Sequence, residues 1–143
     1  MIAKITLCVS LFIQSPIELK RATTYNAEIN QCDSEPLITA DGSLIDLYKL
    51  ENNKLRWCAL SRDLIWDEYR QKLHSYDTTV FRGFFSFGDT LVVESISSPQ
   101  INGKWVVHDC MNKRYKRSID FLFDAKNNKH KLGLCTDVKI INK

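Results

Sequence analysis

GKWVVHDCMNKRYKRSIDFLFD, residues 103–124, is the stretch that decides the fold. Two β-type runs, Trp105–Val107 and Ile119–Phe123, flank a polar and basic connection. Valine, isoleucine and aromatic residues at this density suit a pleated, half-buried surface. Each run carries an aspartate, Asp109 just after the first and Asp120 inside the second. A carboxylate within an apolar run is costly to bury unless it is paired or hydrogen-bonded. The two lie eleven positions apart, and pairing of the two runs is expected to place them together on adjacent strands.

The neighbouring segments have the same character. Asn102-Gly103 is a hairpin signal behind a strand expected over Thr90–Ile96, and Phe87-Gly88-Asp89 is a turn in front of it. Asp137–Ile141 reads as a last strand. Toward the N-terminus, Ala22–Ala27 and Leu55–Leu60 read as strands, Ile45–Leu50 as a short one, and Asp41-Gly42 as a turn. Residues 16–21 form a polar leader to the first of these. Leu64, Ile65, Tyr69 and Leu73 recur at roughly helical spacing, which predicts a helix over Asp63–Tyr76 with Ser61 or Asp63 at its N-cap. An aromatic loop follows over residues 77–86. Six or seven short strands, one helical insertion and no βαβ rhythm describe a mostly β domain, either a small closed fold or a sandwich.

Composition narrows the class. The chain has 143 residues, enough for one modest core. Its net charge of +3 is too weak for a nucleic-acid footprint, so nucleic acid is not an expected partner. The basic cluster Lys113-Arg114-Tyr115-Lys116-Arg117 reads as a solvated loop or as an anion-facing rim suited to an acidic polymer. A short positive start, Met1–Lys4, precedes the apolar run Ile5–Ile13, so residues 1–15 read as a signal peptide too short to span a bilayer. The chain is therefore expected to be exported, with its domain over 22–143 and no stable membrane span. Removal of that leader leaves Cys32, Cys58, Cys110 and Cys135, which permit two disulfides in three connectivities or serve as four small buried thiols. No CxxC is present, and His74, His108 and His130 lack metal-ligand spacing and read as surface or structural side chains. No P-loop, GxGxxG, HExxH or GxSxG occurs, so no cofactor or metal is expected.

As a set, YNAEINQCDSEPLITADGS, RWCALSRDL, FGDTLVV and NGKWVVHDCMNKRYKRSIDFLF resemble the RlpA-like double-psi β-barrel superfamily, in particular its three-aspartate branch. Tyr25, Ala27, the segment Ile38–Gly42, Phe87-Gly88-Asp89, Asp109 and Ile119-Asp120 stand at the family's motif positions, over about residues 22–123. The resemblance implies a six-stranded double-psi β-barrel with a short helical insertion. It also implies a peptidoglycan or related polysaccharide ligand. Active members are lytic transglycosylases, which cut the MurNAc–GlcNAc bond without water and leave a 1,6-anhydro end.

That chemistry needs a carboxylic acid that stays protonated near neutral pH. Burial and a neighbouring like charge produce one, which makes Asp109 and Asp120 the expected catalytic pair, with Asp120 favoured as the acid/base. Relatives carry Asp or His where this chain has Ser61, and serine cannot act as an acid near neutral pH. Asp63, two residues on, is the expected substitute, or else a helix cap. Tyr25, Asp41, Ser61, His108 and Asn112 are the expected substrate-binding positions, and Cys32 with Cys110 a disulfide beside the site. Two other readings remain open: a glycan-binding barrel without catalysis, using aromatics such as Trp57, Phe81, Phe84, Phe85 and Trp105, and a structural envelope or virion module.

Overall fold

A computed structural model describes residues 15–27, 37–65, 84–124, 126 and 132–143. Seven strands lie in one mixed sheet among these residues: β1 Ile17–Glu18, β2 Arg21–Tyr25, β3 Trp57–Leu60, β4 Thr90–Ser95, β5 Gly103–Cys110, β6 Ser118–Leu122 and β7 Val138–Asn142. One helix, α1, spans Leu47–Glu51. The fold is mostly β, as the sequence indicates. The apolar stretches at 105–107 and 119–122 are strands, but they are not neighbours.

Across the sheet the order is β1-β7-β4-β5-β3-β6-β2, so β3 lies between β5 and β6. It pairs parallel with β5 and antiparallel with β6. The expected adjacency of the strands bearing Asp109 and Asp120 is therefore corrected: they sit on either side of β3. The connection between them is too charged and too long for a tight hairpin, and the apolar β3 takes the central place. The sheet is not closed by a ladder. Its last strand, β2, meets the chain leading into β7 through a single bridge, Ala22 to Cys135, with reciprocal backbone hydrogen bonds of 2.7 and 3.0 Å.

Strand alternation divides the side chains between two faces. Cys58, Leu60, Val107, Ile119 and Phe121 point into the main core with Leu91, Val93, Trp105, Val138 and Ile140. Trp105 is fully buried, its ring centroid 4.5 Å from that of Phe121, and its indole N–H donates to the Ile101 carbonyl at 2.7 Å. A buried indole N–H without that acceptor would be costly. On the opposite face, Leu122 joins Ile45 and Leu50 in a smaller cluster, with Tyr25, Leu55 and Trp57 against it. Residues 37–55 thus cover the face that carries Asp120.

Two element assignments differ from the sequence expectation. The strand expected over Ile45–Leu50 is α1, because the Asp46 carboxylate caps the Lys49 backbone N–H at 3.0 Å. Asn53, with φ +54°, ends it in the left-handed region that asparagine tolerates. The helix expected from Asp63 begins as one 3₁₀ turn, Arg62–Leu64, and Ile65 is already extended and bridged to Phe85. Ser61 holds the N-cap place without capping, since its hydroxyl accepts the Ser118 N–H at 2.9 Å. Residues 66–76 of that expectation lie outside the described residues, as do Phe81, His74, His130, Cys32 and the leader over 1–14. The β4–β5 hairpin forms as expected, with Gly103 at φ +108° where other residues would be strained.

Cys58 and Cys135 are free, buried thiols, so two disulfides do not form, and the pairing of Cys110 with Cys32 involves a residue outside the described set. Among the described residues, no helix is long and apolar enough to cross a membrane.

The core assignment has a direct consequence. Phe121→Ala should destabilise the chain by about 3–5 kcal/mol in denaturant unfolding, whereas Leu44→Ala, at an exposed site, should stay within about 0.5 kcal/mol.

Candidate functional site

The site begins with register. Ala59 of β3 stands opposite Asp109 of β5 on one side and Asp120 of β6 on the other. Thr23 of β2 stands opposite Asp120. Directly paired residues share a face, so Thr23, Asp120, Ala59 and Asp109 form one row across four strands. Alanine is the smallest side chain that keeps the strand regular, and it leaves the two carboxyls room on the same face.

A bulge aims the end of β5. Cys58 pairs with Val107 and Ala59 with Asp109, which leaves His108 as the extra residue. Such a bulge re-aims the side chains around it. Trp57 packs against the His108 ring at a centroid distance of 4.1 Å.

The ITADGS segment folds onto this end of β5. Gly42 takes φ +81° to complete the turn, its N–H donating to the Thr39 carbonyl at 2.9 Å. Ala40 N–H then donates to the Asp109 carboxylate at 3.1 Å, and Asp41 N–H to the His108 carbonyl at 3.3 Å. Asp41 Oδ2 lies 2.6 Å from His108 Nδ1, and Ser43 Oγ lies 3.2 Å from the same nitrogen. Thr39 Oγ1 and Ser43 N–H both donate to Asp41 Oδ1, at 2.6 and 3.0 Å. The motifs ITADGS and HD, 67 residues apart at Asp41 and His108, form one hydrogen-bonded unit.

The three carboxyls have different proton affinities. Burial alone would raise Asp41, but the hydrogen bonds from Thr39, His108 and Ser43 outweigh it and hold the group at about 2. An ionised Asp41 only accepts, so His108 Nδ1 carries the proton between them. Burial raises Asp109, with the Asp41 charge adding to it. The N–H groups of Cys110 and Ala40 and the Tyr25 hydroxyl oppose that rise without cancelling it. Burial raises Asp120 most, to about 6. The Thr23 hydroxyl, donating at 2.9 Å, and the charge of Arg21 hold it down, and Asp109 pushes it further up. The repulsion between Asp109 and Asp120 falls on Asp120, the later of the two to ionise.

The remaining sequence candidates sit around this row. Tyr25 lies on its face, opposite Leu122. Ser61 is fully buried and ties β3 to β6, donating its N–H to the Ser118 carbonyl as well as accepting from Ser118. Asp63 accepts the Arg117 backbone N–H at 3.0 Å. Asn112 shapes the turn after β5, accepting from Arg114 N–H at 3.1 Å and from Tyr115 N–H at 3.0 Å. The unit thus brings together Tyr25, Asp41, His108, Asp109 and Asp120, and leaves Ser61, Asp63 and Asn112 committed to backbone. Thr23, Ser43 and Ala59 are participants that the sequence does not single out, and Thr39, part of the Ile38–Gly42 motif, joins them through the turn. Only the strand register and the turn bring them to the carboxyls. Among the described residues, no group of three or more His, Cys, Asp or Glu is placed to hold a metal ion.

No family model matches the chain, and neither the curated proteins nor the solved structures contain a match to it.

Asp120 links this arrangement to pH-dependent stability. Its value is about 6 in the folded chain against an ordinary 3.8. The Asp120 contribution to stability is therefore full below 3.8 and is lost as pH rises through about 6, by about 3 kcal/mol. Asp41 acts oppositely and only at lower pH, where its contribution disappears as pH falls toward about 2. Denaturant unfolding at pH 4.5 and 7.5 should find the wild type less stable at the higher pH, and Asp120→Asn should remove most of that difference. Asp41→Ala should cost about 1–3 kcal/mol at pH 7, since it strands two donors of the turn, Thr39 and Ser43, and one on β5, His108.

Proposed function

We propose that this chain is an exported, cell-wall-active protein that cleaves the MurNAc–GlcNAc bond of peptidoglycan as a lytic transglycosylase, through Asp120 and Asp109. The observation that carries the proposal is the row Asp120–Ala59–Asp109, in which one carboxyl is held at about 6 beside a second on the same face. The finer fold belongs to the same proposal. The six longer strands β2–β7 are taken as a double-psi β-barrel. Their order, together with the bridge between Ala22 and Cys135, supports that reading. Export rests on the character of residues 1–15.

Asp120, protonated up to about pH 6, donates to the glycosidic oxygen as the bond to the anomeric carbon breaks. Ionised Asp109 stabilises the positive charge that develops there. The Asp120 carboxylate then takes the proton of the sugar 6-hydroxyl, whose oxygen bonds to the anomeric carbon. The product is a 1,6-anhydro end, no water is consumed, and Asp120 regains its proton. His108, held by ionised Asp41 and packed on Trp57, lies beside the pair as a substrate contact.

A second reading is favoured by one observation. Ser61 and Asp63 both bind the backbone at Arg117 and Ser118, so no third acid joins the pair from that turn. In that reading the same face binds glycan without cutting it.

Incubation with purified sacculi, followed by mass spectrometry, decides between them. The proposal expects release of 1,6-anhydromuropeptides at a rate that falls as pH rises through about 6, and a loss of at least about 100-fold in Asp120→Asn. Retention on sacculi without any release supports the binding reading. Equal release by wild type and Asp120→Asn contradicts the catalytic one.

A further inference from the structure

We infer that the loop between β5 and β6 is an anion-recognising rim of the candidate site, and that it selects a glycan bearing negatively charged groups. This deepens the peptidoglycan proposal and rests on it. The loop presents Lys113, Arg114, Lys116 and Arg117, with Tyr115 among them. Arg21 of β2 joins it from the sheet, standing opposite Ser118, one row along from the Thr23–Asp120 pair and on the same face.

Three observations separate this rim from an ordinary solvated charge run. First, among the described residues none of these cations is in an ion pair. Ion pairs among the described residues fall on Lys49, His108, Lys126, Lys139 and Lys143, and none on Arg21 or the loop. Second, the rim is built. The guanidinium carbons of Arg21 and Arg114 lie 4.7 and 4.8 Å from the Tyr115 ring centroid, and Arg114 donates to the Tyr115 hydroxyl at 2.7 Å. Arg117 is held at φ +45°, where its N–H meets Asp63 and its guanidinium donates to the Glu18 carbonyl at 2.6 Å. The Met111 N–H to the Leu60 carbonyl, at 2.9 Å, fastens the other end. Third, Arg21 Nε is shielded from solvent and has no hydrogen-bond acceptor among the described residues. A buried N–H of a charged group without an acceptor is a standing cost that an incoming anion would relieve.

The rim also adjoins the reacting groups, since Arg21 is near enough to Asp120 for its charge to act on that carboxyl. A polymer lying across Asp109 and Asp120 would place its substituents against Tyr115 and the cations around it. The ligand chemistry is an anionic polysaccharide. Its charge can come from free carboxylates of the wall or from phosphate-bearing polymers attached to it.

The test is retention of the full chain on three preparations: intact sacculi, sacculi with free carboxyls amidated, and sacculi stripped of attached phosphate polymers. The double charge reversal Arg114→Glu/Lys116→Glu alters two exposed side chains, and Lys54→Glu is the control at an exposed lysine outside the loop. Retention should fall by about tenfold in the double variant and in high salt, and stay unchanged in Lys54→Glu. A fall on amidated sacculi assigns the rim to carboxylates, and a fall on stripped sacculi assigns it to phosphate. Equal retention on all three preparations, or by the double variant, overturns the inference. Release of 1,6-anhydromuropeptides is followed in parallel. Anion-dependent retention without release overturns the catalytic proposal alone, and release with anion-independent retention overturns the rim alone.

Discussion

Two carboxyl groups share one face of a sheet, separated by the width of a single strand, and the residue between them is alanine. That constraint organises much of what surrounds it. A sheet can carry two acids this close only if each is held by donors or kept protonated, because repulsion and desolvation both oppose ionisation. Asp109 leans on the first route: burial raises its proton affinity, and the N–H groups of Ala40 and Cys110 on its carboxylate limit the rise. Asp120 takes the second, with the Thr23 hydroxyl donating to it at 2.9 Å and a proton affinity raised to about 6. Asp120 thus holds its proton more tightly than Asp109, and a difference of that kind between two carboxyls is what acid/base cleavage of a glycosidic bond requires.

The support for Asp109 comes from far along the chain. Residues 39–43 must turn tightly enough to present one N–H to Asp109 and a carboxylate to His108, and Gly42 in the left-handed region makes that turn possible. The bulge at His108 aims the histidine and Asp109 toward the same turn. Local backbone geometry and charge therefore depend on each other: without the bulge, alternation would send His108 and Asp109 to opposite faces.

Much of the strand content was legible in the sequence, and much of the connectivity was not. The runs at 105–107, 119–122 and 90–95 announce themselves through Val, Ile and aromatic residues, and the turn at Asp41-Gly42 through its glycine. The placement of β3 between β5 and β6 was not readable, because pairing partners are set by long-range packing rather than by local pattern. Ile45–Leu50 looked like a strand because its apolar residues outweighed the capping signal of Asp46. Ser61 looked like a site position from its place in the chain, but its hydroxyl serves the Ser118 N–H inside the sheet. Asp109 and Asp120 stood out at once, since an aspartate in or beside an apolar run is visible without any structure. Thr23, Ser43 and Ala59 did not, being ordinary residues whose importance is only their register.

Asp120 keeps its proton to about pH 6 because it is buried, with the Asp109 charge adding to the effect. Carbon-13 NMR titration of the aspartate side-chain carboxyls, in wild type and in Asp109→Asn, tests it most directly. Wild type should show an Asp120 midpoint near 6, and that midpoint should move down when the Asp109 charge is removed. A midpoint near 3.8 in wild type, or one indifferent to Asp109→Asn, would contradict it.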